Sequence, residues 1–113
     1  MIDFACKKVS HEDLVRCSYN LNKTEYNVLL EMLKGGGGNA SELAKKMGLE
    51  RTTVHKALTA LAEKSLAKKT QINLEHGGYA FTYAPKDRQK IRQELSAIIN
   101  DWHQKALREA NFF

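Results

Sequence analysis

Thr52, Thr53, His55, Lys56 and Thr59 interleave with Val54, Leu58 and Leu61, whose intervals of four and three mark the buried stripe of a helix. The polar set therefore faces outward. A threonine hydroxyl can hydrogen-bond a base edge or a phosphate while its methyl meets a thymine methyl, and a lysine can reach guanine or a phosphate oxygen. Arg51 opens the same stretch; Lys45 and Lys46 precede it, and Lys68, Lys69 and His76 follow. From Lys45 to Lys69 seven basic residues stand against two acidic ones, an excess equal to the whole formal charge of +5. Charge gathered in this way suits a polyanion such as double-stranded DNA, with the outward helix face reading bases and Arg51, Lys45 and Lys46 meeting phosphate. A merely solvated helix face carries the same residue types, so the neighbouring elements have to decide.

Covalent and metal chemistry find no comparable support. His11, His55, His76 and His103 fall on separate expected elements, without a His-Glu-x-x-His or Cys-x-x-Cys spacing. Cys6, His11 and Cys17 follow one another at intervals of five and six, outside the usual zinc patterns. Cys6 and Cys17 flank the first expected helix and suggest a redox-responsive switch; two small buried side chains are the plainer use. The run Gly35 to Gly38 is followed by Asn39 and Ala40 rather than the Lys-Ser or Lys-Thr of a phosphate loop, and reads as a flexible connector. No nucleophile with its base, carboxylate pair or cofactor fingerprint stands out, so a non-enzyme without cofactor or metal is expected.

At 113 residues, 42% hydrophobic and 27% charged, the chain has the size and composition of one globular domain spanning residues 1–113. It has no apolar run of the roughly 18–20 residues that a membrane span needs, and its first residues lack a signal peptide's apolar stretch. Together with only two cysteines, this predicts a cytoplasmic protein.

The elements that must hold the polar face follow from periodicity and caps. Ser10 and Asp13 predict a first helix over 10–19, and Asn22 with Glu25 a second over 23–34 that buries Tyr26, Leu29, Leu30 and Leu33. Asn39, with Glu42 completing a capping box, starts a short helix to Met47 whose buried face is Leu43 and Met47; after the turn Gly48-Leu49-Glu50 comes the helix Arg51 to Lys64. Two helices joined by so short a turn make a helix-turn-helix over 39–65. From Leu66 the period becomes two: Ile72 and Leu74, a two-residue Gly77-Gly78 turn, then Tyr79, Phe81 and Tyr83, which predicts a β-hairpin wing over 66–84. A last helix over 86–110 carries Ile91, Leu95, Ile98 and Trp102 at intervals of four, three and four. That stripe needs cover, which a second copy of the chain supplies. The expected fold is α+β, mostly α: a winged helix-turn-helix with a two-stranded wing and a C-terminal dimerisation helix.

The stretch Asn39-Ala40-Ser41-Glu42-Leu43-Ala44-Lys45-Lys46-Met47-Gly48-Leu49, then Arg51-Thr52-Thr53-Val54-His55-Lys56-Ala57-Leu58 and Leu61-Ala62-Glu63-Lys64-Ser65-Leu66-Ala67-Lys68-Lys69, resembles the helix-turn-helix of archaeal TrmB-like regulators, within the wider MarR-type winged-helix group. The resemblance covers residues 22–84. It implies a DNA-binding homodimer with its recognition helix over 51–64, acting as a sequence-specific transcription regulator. Two positions depart from the pattern: Glu50 stands where Ser or Thr often caps the recognition helix, and Ser65 where Gly usually ends it. Larger TrmB-like proteins add a sugar-binding domain, for which these 113 residues leave no room. The competing expectation is a winged-helix adaptor that binds protein; the basic run from Lys45 to Lys69 speaks for DNA, since an adaptor has no need to concentrate charge there.

Overall fold

Side-chain caps start the first three helices where the sequence places them. The computed structural model describes residues 1–113 and contains, in chain order, β1 (Ile2–Phe4), β2 (Lys7–Val9), α1 (His11–Tyr19), α2 (Lys23–Gly35), α3 (Ala40–Met47), α4 (Arg51–Glu63), β3 (Ala67–Asn73), β4 (Tyr79–Pro85) and α5 (Arg88–Ala110). These elements form two units, Leu21–Lys86 and the combination of Met1–Asn20 with Asp87–Phe113.

In the unit Leu21–Lys86, Asn22 Oδ1 accepts from the Glu25 N–H at 2.8 Å and Glu25 Oε1 accepts from the Asn22 N–H at 3.0 Å, which satisfies two otherwise orphan donors of α2. α2 buries Tyr26, Val28, Leu29 and Met32. The stripe thus sits a step round from the expected one, with Leu30 and Leu33 only half-buried, because α2 is covered by α3, α4 and β4 together and a single ridge is too narrow for three neighbours. Leu43, Val54, Leu58, Leu61 and Leu66 complete a core that is closed to solvent. Asn39 caps α3 at 2.8 Å through the Glu42 N–H, but the return bond expected of a capping box is not made; the Glu42 carboxylate lies against Gly38 instead. On the buried face of α3, Ala40 and Ala44 join Leu43, whereas Met47 is half-buried.

The glycine run is not the flexible connector that its composition suggests. Gly36, at φ 83°, closes α2 with its N–H on the Met32 carbonyl, and a side chain on Gly37 would meet the Tyr83 carbonyl oxygen. Gly38 then exchanges two hydrogen bonds with Tyr83, each 2.9 Å, adding a one-residue strand to the edge of the hairpin. Gly37 is glycine because the backbone passes so close to β4, and Gly36 because it closes the helix in the left-handed region.

β3 and β4 pair antiparallel from Ala67 opposite Pro85 to Asn73 opposite Tyr79. Beyond them the Leu74 N–H donates to the Gly78 carbonyl at 3.1 Å, and the Gly77 N–H to the Leu74 carbonyl at 3.2 Å. The loop is therefore Glu75-His76-Gly77 with Gly77 left-handed at φ 89°, a three-residue connection in place of the expected Gly77-Gly78 turn. Nor does the alternation bury the hairpin: Ile72, Leu74 and Tyr79 are exposed, and only its base, Ala67 and Tyr83, enters the core.

The other unit holds a hairpin that the sequence pattern did not reveal. β1 and β2 pair with Ile2 opposite Val9 and Phe4 opposite Lys7, around the short connection Ala5-Cys6. Strands of three residues are too brief for a period to register, and neither Gly nor Asn marks the turn. Ser10 and Asp13 form a full capping box on α1, at 3.0 and 3.3 Å, whose hydrogen bonds hold the Asp13 carboxyl below the usual carboxylate range. The Tyr19 hydroxyl donates to Glu94 Oε1 at 2.9 Å, joining α1 to α5. Val15 and Ile91 are the buried residues of this unit. No helix is long and apolar enough to cross a membrane.

Candidate nucleic-acid interface

α4 owes its place to one face and its use to the other. Val54, Ala57, Leu58 and Leu61 seat it in the core, and the weak 3.7 Å pair between Lys64 Nζ and Glu25 Oε1 links it to α2. What remains outward is Arg51, Thr52, His55, Lys56 and Thr59, all exposed, with Thr53 half-buried. Thr59 spends its hydroxyl proton on the His55 carbonyl at 2.9 Å, leaving only its oxygen lone pairs and methyl to meet a ligand.

Two clefts flank this face. A larger one of about 290 Å³ brings together the start of α3 (Asn39, Ala40, Ser41), Arg51 and His55 of α4, and Tyr79, Ala80, Phe81 and Tyr83 of β4. A smaller one of about 190 Å³ lies between the start of α2 (Asn22, Thr24, Glu25) and Thr53, Lys56 and Ala57. Arg51 and His55, one turn apart, therefore open to one flank, and Thr53 and Lys56 to the other. Each flank also carries a helix N-terminus, where unpaired backbone N–H groups and the positive dipole end favour anions. α4 itself starts at Glu50 without a side-chain cap, as its sequence predicts, and adds a negative charge to that end.

The wing divides its charges. Lys69 lies opposite Tyr83 and shares its face with Phe81, over whose ring its ammonium sits at 4.0 Å from the centroid; Lys68, one residue earlier, faces the opposite side. Tyr79 packs edge-on against Phe81 at 5.4 Å, so the cleft side of the wing is aromatic with one cation held over it. His76 is exposed in the loop at the tip. Lys45 and Lys46 are exposed on α3 outside both clefts, and Lys46 Nζ reaches back toward Gly35 at the end of α2, where a cation meets the negative end of the helix dipole.

Asn39, Ser41, Tyr79, Phe81 and Tyr83 therefore border the candidate groove, although the sequence pattern does not single them out. In the sequence Asn39 is accounted for as a cap, and the aromatics as the return strand of the wing by their alternation. The signal for them is positional: the start of a helix-turn-helix and the return strand of its wing border the same groove.

In the second unit, the residues expected at a subunit contact differ in availability. Ile91 is already buried within the chain, Leu95 and Ile98 are half-buried, and Trp102 is 55% exposed beside Phe4, their ring centroids 5.9 Å apart. Ile99, Leu107 and Phe113 continue the exposed apolar surface. Cys6 and Cys17 are both exposed free thiols, contrary to the small-buried-residue use, and Cys6, His11 and Cys17 are not gathered into a ligand set.

Comparison with known proteins agrees with this architecture. The family described as sugar-specific transcriptional regulator TrmB matches residues 15–89. A solved structure described as a possible transcriptional regulator from Methanosarcina mazei Go1 superposes with a TM-score of 0.90 at 31% identity, covering 100% of this chain and 96% of that one. A protein of the thermoacidophilic archaeon Sulfolobus tokodaii gives 0.69 at 28%, over 84% and 93% of the two chains. An uncharacterized protein of Methanocaldococcus jannaschii is 31% identical over 107 residues, 95% of this chain and 88% of its own length. The winged-helix fold and the resemblance drawn from Asn39 to Lys69 are both upheld.

Proposed function

Because the chain belongs to the TrmB family of transcriptional regulators, we propose that it regulates by binding double-stranded DNA as a homodimer, with α4 in the major groove. The observation that carries this reading is the grouping of exposed polar side chains on α4 between two clefts, each bordered by a helix N-terminus. Thr52, Thr53, His55, Lys56 and Thr59 meet base edges, Arg51 meets phosphate on one side, and Lys69 with His76 extends the contact along the adjacent backbone. Lys45, Lys46 and Lys68 contribute at longer range, through the local field.

The homodimer draws support from α5. A helix of 23 residues, about 34 Å long, buries only Ile91 and leaves Ile99, Trp102 and Leu107 in solvent, a surface that a second copy covers in a two-fold arrangement. Two-fold symmetry then requires an inverted repeat with half-sites about one helical turn apart.

The test is fluorescence anisotropy of a labelled duplex titrated at two salt concentrations. Binding should weaken steeply with salt, and Arg51→Ala should lower affinity and reduce the logarithmic salt slope by about one unit, as expected for one lost phosphate contact. No binding by the wild-type protein at low salt, or full binding by the variant, defeats the assignment.

A further inference from the structure

Lys68 and Lys69 are neighbours of the same type in the sequence, but the wing makes them different. Lys69 stands opposite Tyr83 and Gln71 opposite Phe81, so Lys69 and Phe81 are diagonal neighbours on one face, within reach of a long side chain. The Lys69 ammonium lies 4.0 Å from the centroid of the Phe81 ring. Tyr79 packs edge-on against the same ring, with centroids 5.4 Å apart and planes at 68°. No carboxylate pairs with this ammonium. Lys68 belongs to the other face, where its diagonal neighbour is Thr82 and no ring is offered.

An exposed lysine samples many rotamers, and fixing one of them on a ligand costs affinity. A ring beside the ammonium reduces that cost in advance. Its quadrupole attracts the cation from one side, while the N–H donors on the far side stay open to an anion. Phe81 also lines the larger cleft with Arg51 and His55, so the face that holds the cation is the one turned to α4.

We propose that Phe81 is a positioning residue for duplex recognition, which holds the Lys69 ammonium over its ring, set to take a backbone phosphate beside the groove that α4 reads. The proposal rests on the DNA-binding reading above and adds to it a side chain that carries no charge. It also makes Lys69, and not Lys68, the lysine of the wing that the ring prepares for contact.

The test is a double-mutant cycle in duplex affinity, with thermal stability measured on every protein. Phe81→Leu keeps an apolar side chain and all charges, and should weaken binding about three- to tenfold through the lost preorganisation. Phe81→Tyr keeps the ring and should bind as wild type does. In a Lys69→Ala background Phe81→Leu should cost nothing further, because the ring then has no cation to hold; in a Lys68→Ala background it should cost its full factor. Without DNA, the ring current of Phe81 should move the Lys69 ε-methylene protons upfield in wild type and not in Phe81→Leu. Wild-type affinity in Phe81→Leu overturns the positioning role and leaves the DNA reading standing. So does an undiminished Phe81→Leu loss in the Lys69→Ala background, which would mean that the ring supports the wing and not the lysine. An absent upfield shift in wild type overturns the contact itself. No duplex binding by wild type at low salt defeats the DNA reading, and the positioning role falls with it.

Discussion

Ser65 leaves α4 in the left-handed region at φ 61°, a conformation that costs a residue with a Cβ about 1–2 kcal/mol. It is forced there because the Ser65 and Leu66 N–H groups must reach back to the Ala62 and Leu61 carbonyls before β3 begins. Ser65→Gly should therefore raise unfolding stability by about 1 kcal/mol, read as a higher denaturant midpoint at unchanged slope; an equal or lower midpoint refutes the strain. Tyr19 offers a pH-resolved case. Burial, with the Glu94 hydrogen bond and charge added, raises the Tyr19 phenol above its ordinary value of 10.0. A raised folded value means that the neutral phenol is the stabilised form. Its contribution is complete below pH 10 and is lost as pH climbs from there toward the folded value. Tyr19→Phe should cost about 0.5–1 kcal/mol at pH 7, at the lower end since the pair is half-buried, and the gap to wild type should narrow above pH 10. A gap independent of pH would mean that the bond is not what is lost. Both Ser65 and the polar face of α4 were legible from the sequence, since cap chemistry and helical period are local. The contact between Lys69 and Phe81 was not, because it depends on the register between two strands.

At the scale of elements, α4 and α5 are the helices that start without a side-chain cap, and α4 is the one that borders both clefts. Glu50 makes no side-chain cap bond, the first turn contains no acidic residue, and Arg51 places a positive charge at the positive end of the dipole. A glutamate there also opposes any approaching phosphate. Glu50→Ser should act on both: about 1 kcal/mol more stability from a new cap, and tighter duplex binding with a slightly steeper salt slope. If stability rises while affinity stays level, Glu50 lies away from the DNA; if neither moves, the serine is not capping. The capped helices were legible because Ser10, Asn22 and Asn39 announce them. The wing was legible in extent but not in its loop, where Gly77 serves a three-residue connection and Gly78 pairs with Leu74. The glycine run misled for the same reason that β1 and β2 escaped notice. What fixes each is a partner strand, Tyr83 of β4 or the opposite arm of the hairpin, and residue composition does not display partners.

At the scale of the whole molecule, the unit made of Met1–Asn20 and Asp87–Phe113 buries only Val15 and Ile91, too little apolar surface to account for a long ordered helix. The four-three-four stripe was visible in the sequence, but its division between inside and outside was not: Ile91 is used up within the chain, and the exposed surface moves toward the C-terminus through Ile99, Trp102 and Leu107. Subunit contact should then hinge on Trp102, the kind of large aromatic that dominates interface energies. Trp102→Glu places a charge where a second copy would dock, yet the position is 55% exposed in the single chain, so the monomer should keep its helical content. Light scattering should report a dimer for wild type and a monomer for the variant at the same concentration. A monomer meets one half-site, so the variant should also show roughly half the wild-type salt slope on an inverted-repeat duplex, whereas Arg51→Ala should reduce the slope without changing the mass. An unchanged mass for Trp102→Glu would move the interface elsewhere on the chain. A wild type that is monomeric at high concentration would remove the dimer and, with it, the expectation of an inverted repeat.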